Sequence, residues 1–173
     1  MAELWDVYDG SRRRIGKLHE RGVPMAEGED HLVVQIWIIN DAGQFLISRR
    51  HPDKSYPLCW ESTGGAVTAG ESSYIGALRE VEEELGLKLN PKRGKCVIRE
   101  KHRNVFADIW LYHSNASIED LTFQPTEVVD AKWASPEEIE QMCKDGCFVD
   151  LSNYRSRIYR MGEALLRDLK QKT

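Results

Sequence analysis

Residues 65–87 read GAVTAGESSYIGALREVEEELGL, a glycine-started loop running into a helix loaded with carboxylates. Glu71 follows Gly65 after five residues, Arg79-Glu80 follow Glu71 after seven, and Glu83-Glu84 stand just before Gly86-Leu87. On an α-helix Glu80, Glu83 and Glu84 occupy positions i, i+3 and i+4 and share one face. Like charges at that spacing weaken a bare helix. A divalent cation offsets the repulsion, and hard ions such as Mg²⁺ and Mn²⁺ prefer oxygen ligands and work with substrate phosphates. Tyr74, Leu78, Val81 and Leu85 form the apolar stripe that such a helix buries, roughly opposite the carboxylates. Gly76 lies in the carboxylate sector and has two readings. Either it leaves room for a metal or phosphate, or it is tolerated in a short helix at about 1 kcal/mol relative to Ala. Ser72 or Ser73 is suited to cap the helix, Glu71 sits where the macrodipole favours negative charge, and Gly86 is the expected left-handed stop.

The segment resembles the Nudix box, the signature of a family that hydrolyses nucleoside diphosphates linked to another moiety. That pattern runs G, five residues, E, seven residues, R-E, an aliphatic residue, any, E-E, any, G, aliphatic. It is matched at Gly65, Glu71, Arg79, Glu80, Val81, Glu83, Glu84, Gly86 and Leu87. The resemblance implies an α/β fold, a mixed β-sheet sandwiched between helices. It implies Mg²⁺ or Mn²⁺ held by Glu80, Glu83 and Glu84 with the backbone carbonyl of Gly64. Gly65, Glu71 and Gly86 are then architectural, with an Arg79–Glu71 salt bridge tying loop to helix, and water attacks phosphorus in a diphosphate bridge.

Over the whole chain, 173 residues suit one domain with a sizeable core, with the box at 65–87. Charged residues make up 30% and the formal net charge is −4, which suggests no general affinity for nucleic acid or anionic membranes. The longest apolar run, Leu32 to Ile39, is far too short to span a bilayer. Residues 1–14 are mostly polar and charged and carry no secretory pattern, so a cytoplasmic location is expected. Cys59, Cys96, Cys143 and Cys147 lack zinc-type or redox spacing and are read as reduced thiols. An isologous homodimer is the default expectation for a soluble protein.

Turn residues and alternation place a β-hairpin extension at about 1–30, from Leu4–Tyr8 and Arg14–His19. His31–Asn40 is apolar on both faces and reads as a central strand, turned by Asp41-Ala42-Gly43 into Gln44–Arg50 as a second hairpin. Short extended pieces are expected in Trp60–Val67, a strand pair at Cys96–Lys101 and Val105–His113, and a last strand at Val128–Ala134. Ser135-Pro136-Glu137-Glu138 opens a helix, and a terminal helix runs over about 153–170.

Hydrolysis of a phosphoanhydride needs charge neutralisation, an activated water and aim at phosphorus. Catalytic roles are expected of Glu83, Glu84 and Arg79. Glu83 is one choice of general base; Glu127, in a region where family members often place a metal-binding or basic glutamate, is another, and Asp108 is weaker. Arg49, Arg50 and Lys54 follow the second hairpin and are positioned to reach substrate phosphates, while Trp37, Trp60, Phe106 and Trp110 could stack on a base. Beyond the box, residues 3–22 and 29–65 resemble the branch related to isopentenyl-diphosphate isomerase. The isomerases carry a catalytic cysteine and a following histidine in a W-x-N-x-C-x-x-H-P stretch. Here Trp60 is followed by Glu-Ser-Thr-Gly-Gly, and Cys59 lies on its wrong side. His31 falls where the isomerases have a metal histidine. A third class, a nucleotide-binding module without turnover, typically loses box glutamates, and none is missing here. Substrate choice lies in loops with no readable code; Trp5, Tyr8, Tyr56 and the Asn104 region are candidates for the binding face, and none of them names a ligand.

Overall fold

The computed structural model describes residues 2–149 and 153–171. Nine strands and three α-helices are assigned among them. In chain order these are β1 (Leu4–Tyr8), β2 (Arg14–Glu20), β3 (His31–Ile39), β4 (Phe45–Arg50), β5 (Trp60–Glu61), β6 (Gly64–Ala66), α1 (Ser73–Leu85), β7 (Gly94–His102), β8 (Val105–His113), β9 (Val128–Ala134), α2 (Pro136–Lys144) and α3 (Arg155–Lys170). β3 and β8 run parallel over their whole length, and β7 pairs antiparallel on the outside of β8. α1 covers one face of this mixed sheet and α2 and α3 cover the other, giving the expected α/β/α sandwich.

The expected hairpin of β3 and β4 closes only at its turn, where Ile39 faces Phe45. Below that point the strands part into a fork. β5 pairs along β4 at Ser48 and Arg49, β6 pairs along β3 from Val33 to Gln35, and the outer edge of β4 is taken by β9. The segment 60–66 thus enters between two strands that sequence alone joins directly. Backbone donors and acceptors must be paired once buried. Two short strands on separate partners satisfy them while leaving the crotch open.

The sheet carries a core on each side, as a strand apolar in both registers requires. Val34, Ile36 and Ile38 of β3 pack towards α1 with Val81 and Leu85, while Trp37 and Ile39 pack with Ile109, Ile139 and Ile158 on the opposite side. Each such fully buried aliphatic side chain contributes about 1.5–3 kcal/mol relative to exposure. Along α1, Ala77, Val81 and Leu85 are fully buried, whereas Tyr74 and Leu78 of the anticipated stripe are only half-buried. Ser72 caps the helix through its Oγ, which accepts from the Ile75 N–H, and Gly86 ends it at φ 65°. α2 starts with a full capping box between Ser135 and Glu138.

The β1–β2 hairpin does not join the main sheet. It is fastened to the loop before α1: Leu4 accepts from the Ala69 N–H at 2.8 Å, Asp6 Oδ2 accepts from the Gly70 N–H at 2.8 Å, and Arg14 donates to the Glu71 carbonyl. Arg12 reaches Asp108 Oδ2 at 2.6 Å and fixes the hairpin turn to β8. Among the described residues no helix is long and apolar enough to cross a membrane.

Candidate active site

The fork opens into a cleft of about 610 Å³. Its inner end is built by α1, β5 and β6, with Glu80, Glu83, Glu84, Arg79, Glu61, Gly64 and Gly65 on its lining. Gly65 lets the Glu80 carboxylate lie over the β6 backbone: a Cβ there would stand 2.5 Å from that carboxylate and push it aside. A Cβ on Gly64 would meet the Val34 carbonyl oxygen at 2.5 Å, so the β6 backbone lies this close to β3 because residue 64 is glycine. Gly76 resolves differently from either sequence reading. A Cβ there would stand 3.1 Å from Val67 and 3.6 Å from the Glu71 carboxylate, so its small size lets the box loop sit on the helix.

Arg79 organises this end. Its Nε lies 2.9 Å from Glu71 Oε1, Nη2 donates to the Ala66 carbonyl at 2.9 Å, and Nη1 reaches Glu80 at 2.9 Å and Glu83 at 2.8 Å. One guanidinium therefore ties the loop to the helix and separates three carboxylates, a role its planar fork of donors suits. Burial alone would raise the Glu71 carboxyl, but the hydrogen bonds and charge of Arg79 hold it below the usual range. Burial raises Glu80 despite Arg79.

Glu84 is the outlier of the set. Its side chain is 6% exposed, and Oε2 is buried with no hydrogen-bond partner. Burial pushes its carboxyl up to about 8, with Glu61, Glu80 and Glu127 adding to the rise and Lys54 opposing it. Among the described residues the cation paired with it is the Lys54 ammonium, 3.7 Å from Oε1, which also forms a tighter ion pair with Glu127. An unpaired buried carboxylate oxygen carries a heavy desolvation cost unless a cation or proton meets it. Among the described residues no three carboxylate, imidazole or thiol side chains are already gathered as a metal cluster. Arg79 and Lys54 hold the carboxylates instead. The donor set itself, all oxygen and anionic, fits a hard divalent ion.

Of the cations anticipated for phosphate contact, Arg50 and Lys54 line the cleft and Arg49 does not. Neighbouring residues of a strand point to opposite faces. Arg49 turns outward over the Trp60 ring at 5.9 Å and donates to the Leu58 carbonyl, while Arg50 turns inward onto Glu61 at 2.5 Å. Glu127 also lines the cleft. Asp108 does not; it is buried between Arg12 and Arg99. Trp37, Trp60, Phe106 and Trp110 are likewise absent from the lining. Trp37 is core at 1% exposure, Trp110 donates to Ser73 Oγ, and Lys132 lies 4.6 Å over Trp60.

Sequence reasoning passes over Glu61 and most of the outer wall, where of the candidates for the binding face Trp5 and Tyr56 line the cleft and Tyr8 and Asn104 do not. Glu61 lines the cleft, and burial raises its carboxyl against the charges of Arg50 and Lys54. Its only local signal was an acid directly before Ser-Thr-Gly-Gly. At the outer end the cleft is walled by Glu3, Trp5 and Arg21 of the hairpin and by Glu100, His102 and Tyr154. Trp5 stacks on His31 at 4.5 Å and 14°, and its Nε1 donates to Glu3, which also pairs with Arg21. His31 thus supports an aromatic ring, and it does not itself line the cleft.

A family model described as NUDIX domain matches residues 29–150. The chain belongs to the Nudix family. An uncharacterized Nudix hydrolase of Listeria monocytogenes is 37% identical over 149 residues, covering 85% of this chain and 88% of the relative. An isopentenyl-diphosphate Delta-isomerase of Mycolicibacterium vanbaalenii is 34% identical over 110 residues, covering 62% and 60%, in keeping with the branch that the N-terminal sequence resembles. The crystal structure of DR0079 from Deinococcus radiodurans superposes with a TM-score of 0.71 at 24% identity, covering 92% of this chain and 98% of that one. With Nudix hydrolases as relatives over most of its length, the chain is an enzyme of the pyrophosphohydrolase class. The matched region begins at residue 29, so the β1–β2 hairpin lies outside it.

Proposed function

We propose that this Nudix enzyme is a divalent-metal-dependent hydrolase that cleaves a phosphoanhydride bond in a nucleoside diphosphate linked to another moiety. The supporting observation is Glu84, a carboxylate pushed up to about 8 by burial, with an oxygen lacking any partner, on the floor of an open cleft. Such a group is destabilised until a cation joins it. Glu80, Glu83 and Glu84, with the Gly64 carbonyl, would hold Mg²⁺ or Mn²⁺. The bound ion supplies positive charge for the diphosphate oxygens and lowers the pKa of water.

The chain's own residues supply the rest. Arg79 keeps the loop and helix in register, and Lys54 and Arg50 present cations to the phosphates from the loop edge. Glu83 and Glu127, at 53% and 30% side-chain exposure, reach solvent and are the two positions from which a proton of the attacking water is accepted. The outer wall, with Trp5, has room for the linked moiety or the base.

Isomerisation of isopentenyl diphosphate is the second reading, favoured by the mycobacterial relative. It needs a protonating thiol at the reacting carbons, and none of the four cysteines lines the cleft. A panel of nucleoside di- and triphosphates, nucleotide sugars, dinucleotides and isopentenyl diphosphate, run with Mg²⁺, Mn²⁺ or EDTA, separates the readings. Metal-dependent anhydride cleavage is expected. Isomer formation, or metal-dependent binding with no turnover, would replace the hydrolase reading.

A further inference from the structure

Lys54 sits in the loop between β4 and β5, and its position there is braced. Arg50 donates from Nε to the Ser55 carbonyl at 2.6 Å and from Nη2 to Ser55 Oγ at 3.0 Å. The Lys54 N–H bonds the His51 carbonyl at 3.1 Å, and the His51 N–H bonds the Glu127 carbonyl at 2.9 Å. The ammonium is thereby delivered inward, with the side chain only 20% exposed, onto Glu84 and Glu127. A lysine on a surface loop ordinarily keeps its head in water and only its stem against the protein. Here the head is drawn towards a buried carboxylate that forms no other ion pair among the described residues.

We propose that Lys54 is a place-holding cation, which pairs with Glu127 and stands beside Glu84, gives way when a divalent ion joins Glu84, and then turns to the substrate diphosphate. The inference rests on the metal-dependent reading above and adds an order of events to it. A divalent ion on the unpartnered Glu84 Oε2 and an ammonium 3.7 Å from Oε1 of the same carboxylate repel each other strongly in a partly buried site. Metal binding therefore works against Lys54 in its place beside Glu84, which weakens the metal. A diphosphate that accepts the displaced ammonium removes that cost. Metal and substrate then bind with positive coupling, and linkage requires each to tighten the other by the same factor.

Lys54 is a positioning residue in this account, and the test reads metal affinity directly. Mn²⁺ binding to the full chain would be measured by titration calorimetry or electron paramagnetic resonance, alone and with a methylene-bridged nucleoside diphosphate that resists cleavage. Lys54→Gln is expected to bind Mn²⁺ alone roughly tenfold more tightly than wild type, a factor typical of such coupling, and to lose the tightening caused by the nucleotide. Lys54→Arg keeps the cation and is expected to bind Mn²⁺ as weakly as wild type, which a merely structural role would not produce. Circular dichroism melts confirm that each variant is folded, and Lys54→Arg keeps the comparison intact should the Gln variant melt early. Mn²⁺ affinity equal to or weaker than wild type in folded Lys54→Gln would overturn the place-holding role while leaving the metal site in force. No Mn²⁺ binding by wild type, with or without nucleotide, would overturn both.

Discussion

The two ends of one cleft are built on different principles. At the inner end a single guanidinium contacts Glu71, Glu80, Glu83 and a backbone carbonyl, and Gly64 lies against the β3 backbone too closely for any Cβ. At the outer end Trp5 leans on His31, Glu3 braces Trp5, and Arg21 pairs with Glu3 on a two-stranded ribbon outside the main sheet. Charge in the first region is dense, mutually dependent and partly buried. In the second, the contacts are fewer; Trp5, His31 and Glu3 are half-buried and Arg21 is exposed. Dense networks leave little freedom to vary, while an appended ribbon can change without disturbing the sandwich. The inner end is thus suited to chemistry common to many substrates, and the outer end to choosing among them.

The sharpest way to break that contrast is Glu84→Gln. The substitution keeps the shape and removes the charge facing the metal position. A loss of kcat on the order of a hundredfold or more is expected for every substrate, comparable to removing a group that stabilises transition-state charge. The metal-free protein should at the same time melt no earlier than wild type, because an unpaired buried carboxylate is replaced by a neutral amide. Retained Mg²⁺-dependent turnover would remove Glu84 from the chemistry.

Arg79→Ala tests whether the inner network also carries stability. It leaves Glu71, Glu80 and Glu83 without their shared cation, and breaking a partly buried pair from one side costs roughly 3 kcal/mol. Denaturant unfolding should show a loss of that order together with impaired activity. Unchanged stability and intact turnover would strip the Arg79–Glu71 bridge of importance.

The same region predicts a pH dependence. Glu84, Glu80 and Glu61 are all raised in the fold, chiefly by burial. A carboxyl raised on folding contributes stability that is fully present below its unfolded value, 4.5 here, and is lost as pH rises through its folded value, about 8 for Glu84. In EDTA the melting temperature should therefore fall between about pH 5 and pH 8. Mg²⁺ or Mn²⁺ should raise it more at pH 8 than at pH 6, since only the ionised carboxylates hold the ion. A melting temperature flat across that range in EDTA, or equal in wild type and Glu84→Gln, would contradict the assignment.

The contrast also explains what sequence could reveal. Residue pattern announced the loop, the helix and its caps, because each depends on local geometry and nearby residues, while the Arg79–Glu71 contact was implied by the family resemblance. The β1–β2 hairpin and strand β8 were legible from alternation and turn residues. The fork was not, since which strand fills the gap between β3 and β4 is decided by distant pairing. Glu61 was hidden in a two-residue strand too short to show a period. Arg49 and Arg50 are adjacent in sequence yet face opposite ways, and only the location of the cleft says which face matters. Trp5 carried no motif at all.

Trp5→Ala probes the weaker, outer end and should give the smallest effect of the set. The ring is half-buried on an appended hairpin, so its loss removes packing on His31 and one donor to Glu3, and leaves the α1 network untouched. Across the substrate panel the variant should raise KM by roughly tenfold for compounds whose base or linked moiety reaches the outer wall, the scale of a lost stacking or packing contact. For inner-end interactions kcat should change little, because the groups that meet the diphosphate stay in place. The ranking of substrates should therefore change more than the rate on any one of them. A uniform fall in kcat for all substrates would mean that the hairpin supports the inner end through its hold on Ala69, Gly70 and Glu71, and the two ends would then be one unit.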